Sequence, residues 1–120
     1  MPTAIQPIIA TPDVDRLVTF YRELLGADEA ERFPEDGEVF FVQLTLDGAE
    51  LGVVANADAE TGAPGRVLLS AMVEGVDDLL KRVEPLGGTV SGEPNDMPWG
   101  QRVAHIKDPD GNVVNLCQAL

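Results

Sequence analysis

Apolar residues recur at three- and four-residue spacing near the start of the chain, which is the pattern of an amphipathic helix. Thr11 is suited to the N-cap of this helix, Pro12 to its first position and Gly26 to its end. The pattern therefore predicts one helix that buries a single face. The apolar positions on that face are Val14, Leu17, Val18, Tyr21, Leu24 and Leu25.

Shorter apolar runs on either side of this helix predict strands. Residues 5–10 form such a run before it, and residues 30–33 form a weaker one after it. Residues 39–46 and 49–55 follow, joined by the turn residues Asp47-Gly48. The first half of the chain is thus predicted to have the order β-α-β-β-β.

The second half repeats this order. An apolar run over residues 67–73 predicts a strand, and a second helical face follows it and ends at Pro85 and Gly87-Gly88. That face consists of Val76, Leu79, Leu80 and Val83. The remaining predicted strands cover residues 89–91, 102–107 and 112–117.

The two halves also share sequence. Residues 14–18 (VDRLV) resemble residues 76–80 (VDDLL), 62 positions later. We therefore predict a single α+β domain over residues 1–120, built from two tandem βαβββ modules at about 3–55 and 66–120. Residues 56–65 lack periodicity and are interpreted as the linker.

Charge narrows the range of partners. The 120 residues include 21 acidic and 8 basic side chains, for a formal net charge of −13 at pH 7. Such a chain repels phosphates, so the sequence indicates neither nucleic acid nor an anionic membrane as a partner. It suits a cationic small-molecule ligand.

The cysteine content and the first residues of the sequence indicate the cellular compartment of the protein. Cys117 is the only cysteine, so there is no disulfide framework and no CxxC metal site. The opening MPTAIQP lacks the basic and apolar regions of a secretory signal, and no stretch approaches the roughly 18 apolar residues of a spanning helix. We expect a cytoplasmic protein.

Generic catalytic and cofactor motifs do not occur in the sequence, which has no GxGxxG, P-loop or GxSxG. Residues 108–112 (DPDGN) superficially resemble a calcium loop, but their spacing suits a tight turn between strands. His105 is the only histidine, and it is either a half-buried sheet residue or an acid in a non-standard site. Cys117 lies among apolar residues, as a packed thiol does.

Trp99 is the only tryptophan, and it lies between Pro98 and Gly100, outside any apolar run. A ring presented by such a loop can stack on a flat or cationic ligand. The alternative is that it covers the edge of a hydrophobic core. The sequence leaves both interpretations open.

Three segments of the chain, taken together, resemble a known superfamily. They are residues 13–26, which include FYRELLG, residues 73–77 (VEGVD), and residues 99–112, which begin with WGQR and end with DPDGN. With the doubled β-α-β-β-β order they are similar to the vicinal-oxygen-chelate superfamily of glyoxalases, extradiol dioxygenases, fosfomycin-resistance enzymes and bleomycin-resistance proteins. The resemblance implies the glyoxalase/bleomycin-resistance fold, with a cupped mixed sheet, in a homodimer.

The resemblance also implies where a metal would be held, since enzymes of this superfamily bind a divalent ion through residues on the first and fourth strands of each module. The corresponding positions here are Gln6, Glu50, Leu68 and Asn115. Leucine cannot ligate a metal, and neutral amides are poor ligands beside imidazole or carboxylate. We therefore predict no catalytic residue, no metal ligand and no cofactor.

The closest resemblance is then to the metal-independent, drug-binding branch, of the bleomycin- or mitomycin-resistance type. This implies a protein that sequesters an aromatic or cationic small molecule. Its predicted binding residues are Trp99 for stacking and, for polar contacts, Glu50, Gln6, Asn115, Arg102 and His105. The alternatives are a lyase- or dioxygenase-type enzyme of the superfamily with a degenerate metal site, and a partner-binding module of a larger assembly.

Overall fold

The computed structural model of the protein describes residues 6–62 and 67–120. By its internal contacts the chain divides into two compact units, Met1–Glu60 and Thr61–Leu120. The predicted linker spans this division, and its residues 63–65 lie outside the described residues, as do residue 5 of the first predicted strand and residue 66 of the second module.

The first unit is a mixed sheet covered on one face by a helix. Its sheet has the order β1-β4-β3-β2, with β1 parallel to β4 and the other neighbours antiparallel. The elements are β1 Ile8–Thr11, α1 Val14–Leu25, β2 Asp28–Phe33, β3 Phe41–Leu46 and β4 Ala49–Ala55.

Helix α1 begins two residues later than the sequence predicts. Its N-cap is Asp13, whose side chain accepts a hydrogen bond from the Arg16 N–H at 3.1 Å. Thr11 is instead the buried last residue of β1, and its hydroxyl accepts from the Asp13 N–H at 3.1 Å. The prediction of Thr11 as N-cap is therefore wrong. The predicted end at Gly26 is confirmed, in the left-handed conformation with φ +75°.

The core of the first unit lies between α1 and the sheet. Leu17, Phe20 and Tyr21 are fully buried on the inner face of the helix. Val42 and Leu44 of β3 are fully buried as well, since alternate residues of a strand share a face. The predicted helical periodicity thus identified most of this core.

The second unit repeats the plan with an additional short strand. Its sheet has the order β5-β9-β8-β6, β7 also pairs with β8, and β5 runs parallel to β9. The elements are β5 Leu69–Met72, α2 Val76–Val83, a 3-10 turn Glu84–Leu86, β6 Thr89–Val90, β7 Asn95–Met97, β8 Gln101–Lys107 and β9 Val113–Ala119. Strand β7 was not predicted from the sequence.

The repeat seen in the sequence is present in the fold. Val14 and Val76, the aligned positions, are the first residues of α1 and α2. Within the described residues each unit has its own mixed sheet and one α-helix, which confirms the predicted α+β class. Residues 108–112 connect β8 to β9, and the Asp108 carboxylate accepts from the N–H groups of Asp110 and Asn112.

Neither α-helix in the described ranges is long and apolar enough to cross a bilayer.

Candidate functional site

Each helix covers one face of the sheet in its own unit, and the opposite face, here called the open face, carries no helix of that unit. Residues that alternate with the buried core positions point to the open face. In β3 these are Phe41, Gln43 and Thr45, and in β8 they include Gln101 and His105. The strand register therefore decides which candidate residues lie on the open face.

A glycine shapes the open face of the first unit. A Cβ on Gly52 would lie 2.9 Å from Cζ of Phe41 and 3.0 Å from Cγ1 of Ile8. The Phe41 ring therefore occupies the space above the Gly52 backbone, beside Ile8. Of the two adjacent phenylalanines, Phe41 lies on the open face, whereas Phe40 precedes β3 and is 61% exposed.

Gln6 and Glu50 both belong to this open face. Gln6 donates from Nε2 to Oε1 of Gln43 at 2.6 Å, across the sheet. Glu50 lies opposite Thr45 near the β3–β4 turn, and its exposed carboxylate forms no ion pair among the described residues. The first unit thus presents an amide pair and one carboxylate beside the Phe41 ring.

His105 and Asn115 meet on the open face of the second unit. They are directly opposite in the antiparallel pair β8–β9, with Nδ1 of His105 2.7 Å from Oδ1 of Asn115. An amide oxygen only accepts, so Nδ1 carries the proton and donates it. In the neutral ring Nε2 is then a hydrogen-bond acceptor, and the Asn115 amide nitrogen remains a donor.

Trp99 lies at the tip of the β7–β8 hairpin. The three-residue loop closes with a hydrogen bond from the Gly100 N–H to the Met97 carbonyl at 3.0 Å, and Gly100 adopts φ +91°. The indole N–H donates to Oε1 of Gln101 at 2.9 Å, and Gln101 in turn contacts the Met72 sulfur at 3.8 Å. The ring is 66% exposed, so it is held by the hairpin without covering a core.

Arg102 lies on the opposite face of the sheet from His105. Its guanidinium donates to Asp96 at 2.7 and 3.2 Å and to Asp77 of α2 at 2.8 Å. Hydrogen bonding to Asp96 raises the pKa of Arg102, and the same contact lowers the pKa of Asp96. Because neighbouring strand residues point to opposite faces, Arg102 stabilises the helix–sheet contact and does not join the other candidates.

The structure thus sorts the six predicted binding residues into three groups. Gln6 and Glu50 share the open face of the first unit. Trp99, His105 and Asn115 belong to the second unit, with Trp99 on the hairpin at the end of the open face. Arg102 lies on the helix side.

Sequence reasoning did not identify Gln43, Gln101 or Met72 as neighbours of these groups. Gln43 alternates with the buried Val42 and Leu44, so the period of two in β3 could have placed it on the open face. The Gln101–Met72 contact depends on the register of β5 and β9, which no local pattern reveals.

The resemblance predicts metal-ligand positions at Gln6, Glu50, Leu68 and Asn115, and these residues do not provide a suitable ligand set. Leu68 has no donor atom, Gln6 offers only a neutral amide oxygen, and the Asn115 oxygen accepts from His105. Glu50 is the only carboxylate in the set. Over residues 6–62 and 67–120, no three His, Cys, Asp or Glu side chains are placed to hold a metal ion together.

Comparison with known proteins gives relatives over nearly the whole chain. The uncharacterised protein YraH of Bacillus subtilis (strain 168) is 29% identical over 117 residues, which cover 90% of this chain and 91% of YraH. A glyoxalase/bleomycin resistance protein/dioxygenase family enzyme from Burkholderia phytofirmans PsJN is similar in structure, with a TM-score of 0.78 and 21% identity. The match covers 96% of this chain and 97% of the Burkholderia chain.

The fosfomycin resistance protein FosX from Mesorhizobium loti has the same fold, with a TM-score of 0.75 and 13% identity. The match covers 97% of this chain and 90% of the FosX chain. Residues 4–116 match the profile of the Glyoxalase/Bleomycin resistance protein/Dioxygenase superfamily. The chain therefore belongs to the Glyoxalase/Bleomycin resistance protein/Dioxygenase superfamily.

Proposed function

We propose that the protein binds and sequesters a small aromatic or cationic molecule, without a metal ion and without changing it chemically. The observation that carries this proposal is Trp99, a large aromatic ring that is two-thirds exposed yet held in one orientation. Exposing an indole to water is unfavourable, and fixing it before a ligand arrives lowers the entropy lost on binding. Both features suit a stacking platform.

Further side chains support the same function. An apolar ligand site is typically lined by aromatic and aliphatic groups with a few placed polar atoms. The open face of the first unit has Phe41 and Ile8 beside Gln6 and Glu50, and that of the second unit has His105 and Asn115. Hydrogen bonds within each sheet orient Gln6, His105 and Asn115. The Glu50 carboxylate forms no ion pair with a described residue and is available to a ligand.

The charge distribution favours a cationic group at the first unit. Residues 1–60 contain 13 acidic and 3 basic side chains, whereas residues 61–120 contain 8 and 5. Glu50 places one of these carboxylates on the open face itself. Coulomb attraction by such a surface raises the rate at which a cation is encountered.

The mismatch at the metal positions supports the metal-independent part of the proposal. Lewis-acid catalysis needs a metal fixed by several strong ligands, and the corresponding residues here include a leucine and two amides that bond to neighbouring side chains. We propose that the superfamily fold is used here for binding alone.

Titration of the single tryptophan tests the proposal. The protein is titrated, with chelator present throughout, against a panel of bleomycin, mitomycin and quinone compounds while Trp99 fluorescence is followed. We expect saturable quenching at micromolar ligand. Trp99→Ala, measured by calorimetry, should weaken binding on the order of tenfold, because stacking on an aromatic side chain contributes roughly 1–3 kcal/mol.

Two variants serve as controls. Trp99→Phe keeps an aromatic ring and should retain part of the affinity, whereas Phe40→Ala removes a similarly exposed ring from the other unit and should leave affinity unchanged. A panel without quenching, or a Trp99→Ala protein with unaltered affinity, would reject the stacking role. Stoichiometric zinc, nickel, manganese or iron in the purified protein would favour the enzyme alternative instead.

A further inference from the structure

The open face of the first unit has an aromatic end, formed by two phenylalanines on neighbouring strands. Phe33 of β2 and Phe41 of β3 are directly opposite each other, so both side chains belong to this face. Phe33 is 51% exposed, and the tip of the Phe41 ring lies over the Gly52 backbone. Neighbouring aromatic side chains on an exposed sheet face are available for contact with the apolar body of a ligand.

The other end of this face is acidic. Asp28 of β2 and Glu50 of β4 are the register partners of Thr45 on its two sides, and Glu31 of β2 is opposite Gln43. Directly opposite residues share a face, so these three exposed carboxylates lie on the open face. None of them forms an ion pair within residues 6–62 and 67–120.

No arginine of the first unit offsets this charge. The first 60 residues contain three basic side chains, Arg16, Arg22 and Arg32. Arg16 and Arg22 belong to α1, and Arg32 donates to Asp15 of the same helix, so all three lie on the helix side of the sheet. The open face is therefore complementary in charge to a cation.

The spacing of the two ends determines the length of a ligand that contacts both. Gly52, under the tip of the Phe41 ring, and Glu50 are two residues apart in β4, about 7 Å along the strand. Gln6 donates from Nε2 to Gln43 and keeps its carbonyl oxygen as an acceptor on the same face. A ring against Phe41 and a cation at Glu50 are thus about 7 Å apart, the reach of an aryl group joined to an amine through about two carbons.

Resting on the proposed function, we infer that the open face of the first unit takes an arylalkylammonium, a molecule that is both aromatic and cationic. Its ring lies against Phe41. Its ammonium group donates to the Glu50 carboxylate and to the carbonyl oxygen of Gln6. Asp28 and Glu31 add attraction at longer range.

Naphthylethylamine, which is protonated at neutral pH, and naphthylethanol form a matched pair of probes. They share ring and spacer, and only the amine is charged. We expect the amine to bind the wild-type protein about tenfold more tightly by calorimetry in dilute buffer, because an ammonium forms a charge-assisted hydrogen bond to a carboxylate. Salt at about 0.5 M should reduce this preference, since it screens exposed charges. Naphthylmethylamine is too short to span both ends and should show a smaller preference over its own alcohol.

Substitutions assign the preference to particular residues. Glu50→Gln keeps the shape of the side chain without its charge, and it should reduce the preference for the amine to about twofold or less. Glu23→Gln is the control, because it removes an exposed carboxylate of α1 on the other side of the sheet, and it should leave the preference intact. Phe41→Leu should weaken both probes and leave the ratio of their affinities unchanged.

The outcomes separate this inference from the proposed function. Loss of the preference in Glu50→Gln but not in Glu23→Gln supports the inference. Equal affinity for the amine and the alcohol, a preference that survives in Glu50→Gln or is undiminished for naphthylmethylamine, or binding of neither probe overturns it. In each of those cases, panel compounds that quench Trp99 and bind Trp99→Ala more weakly still support the proposed function. If no panel compound quenches Trp99, the proposed function fails as well.

Discussion

At the scale of single residues, Arg32 shows how one side chain ties a strand to a helix. Its guanidinium donates to both carboxylate oxygens of Glu29, at 2.7 and 3.1 Å, and to Asp15 of α1 at 3.3 Å. The bidentate pair is the stronger contact, because two parallel charge-assisted bonds share one geometry. This hydrogen bonding lowers the pKa of Glu29 below its ordinary value of 4.5.

The depressed pKa gives Arg32→Gln a predictable pH dependence. A carboxylate whose folded pKa lies below its unfolded value adds stability above the unfolded pKa, and that stability is lost as the pH falls through the folded pKa. We therefore expect Arg32→Gln to lower the free energy of unfolding by about 1 kcal/mol near neutral pH. The deficit should shrink steadily as the pH falls below 4.5.

Urea titrations of both proteins between pH 7 and pH 3 measure this difference. Lys81→Gln is the control, since Lys81 pairs with Asp78 at 3.9 Å with both side chains largely exposed, and it should cost little at any pH. An Arg32→Gln deficit that does not change across this pH range would show that the Glu29 carboxylate is not its source.

At the scale of elements, the two helices begin in physically different ways. Helix α1 is capped locally by the side chain of Asp13. Helix α2 has Gly75 as its N-cap, without a side-chain hydrogen bond, and the Val76 N–H donates instead to Oε1 of Gln118 in β9 at 3.0 Å. The start of α2 therefore depends on the sheet.

Gln118→Leu should consequently destabilise the second unit. It removes the acceptor of a part-buried N–H, so we expect a loss of about 1 kcal/mol in the free energy of unfolding. Adding Gly75→Ser should recover part of that loss, because a serine at the N-cap accepts from the next helical N–H groups and the site has room for a Cβ.

Thermal and urea unfolding of the single and double variants measure these effects. Gln43→Leu provides a control, since Gln43 bonds to another side chain and to no helix. A Gln118→Leu protein that is as stable as the wild type would show that this hydrogen bond does not stabilise the start of α2, and the explanation would fail.

An element of this fold was predictable from the sequence when residues within a few positions of it determine its structure. Both helices and β4 follow from periodicity and turn residues within a few positions; β4 lies where the sequence predicts, and α1 begins within two residues of its predicted start. Strand β7 spans three residues without an apolar run, so nothing local marks it. The choice of Asp13 over Thr11 as N-cap was also hidden, because both residue types cap helices well.

The candidate site was less predictable, because it depends on register between distant strands. Trp99 stood out in the sequence because of its loop, and His105 because it is the only histidine. The residues around them are brought there by strand pairing, which no local pattern determines. Asn115 meets His105 only because residues 108–112 set the β8–β9 register. A shift of one residue would have placed Arg102 on the open face instead.

At the scale of the whole molecule, apolar side chains remain exposed at the edges of the two sheets. Strands β1 and β5 are the outermost strands of their sheets. Ile8 of β1 is 56% exposed and Met72 of β5 is 67% exposed. Exposed apolar edge strands favour pairing with another chain, and short chains gain stability from such burial. We propose that these edges are covered in a homodimer.

Sedimentation equilibrium tests the dimer directly. We expect a mass of twice the 12.8 kDa of one chain at micromolar protein. Ile8→Glu places a charge on the β1 edge and should shift the protein towards monomer by at least about tenfold in dissociation constant, because burying an unpaired carboxylate is strongly unfavourable. Phe40→Glu alters an equally exposed side chain away from that edge and should leave the mass unchanged. A wild-type mass near 12.8 kDa throughout would mean that the exposed edges are tolerated in a monomer.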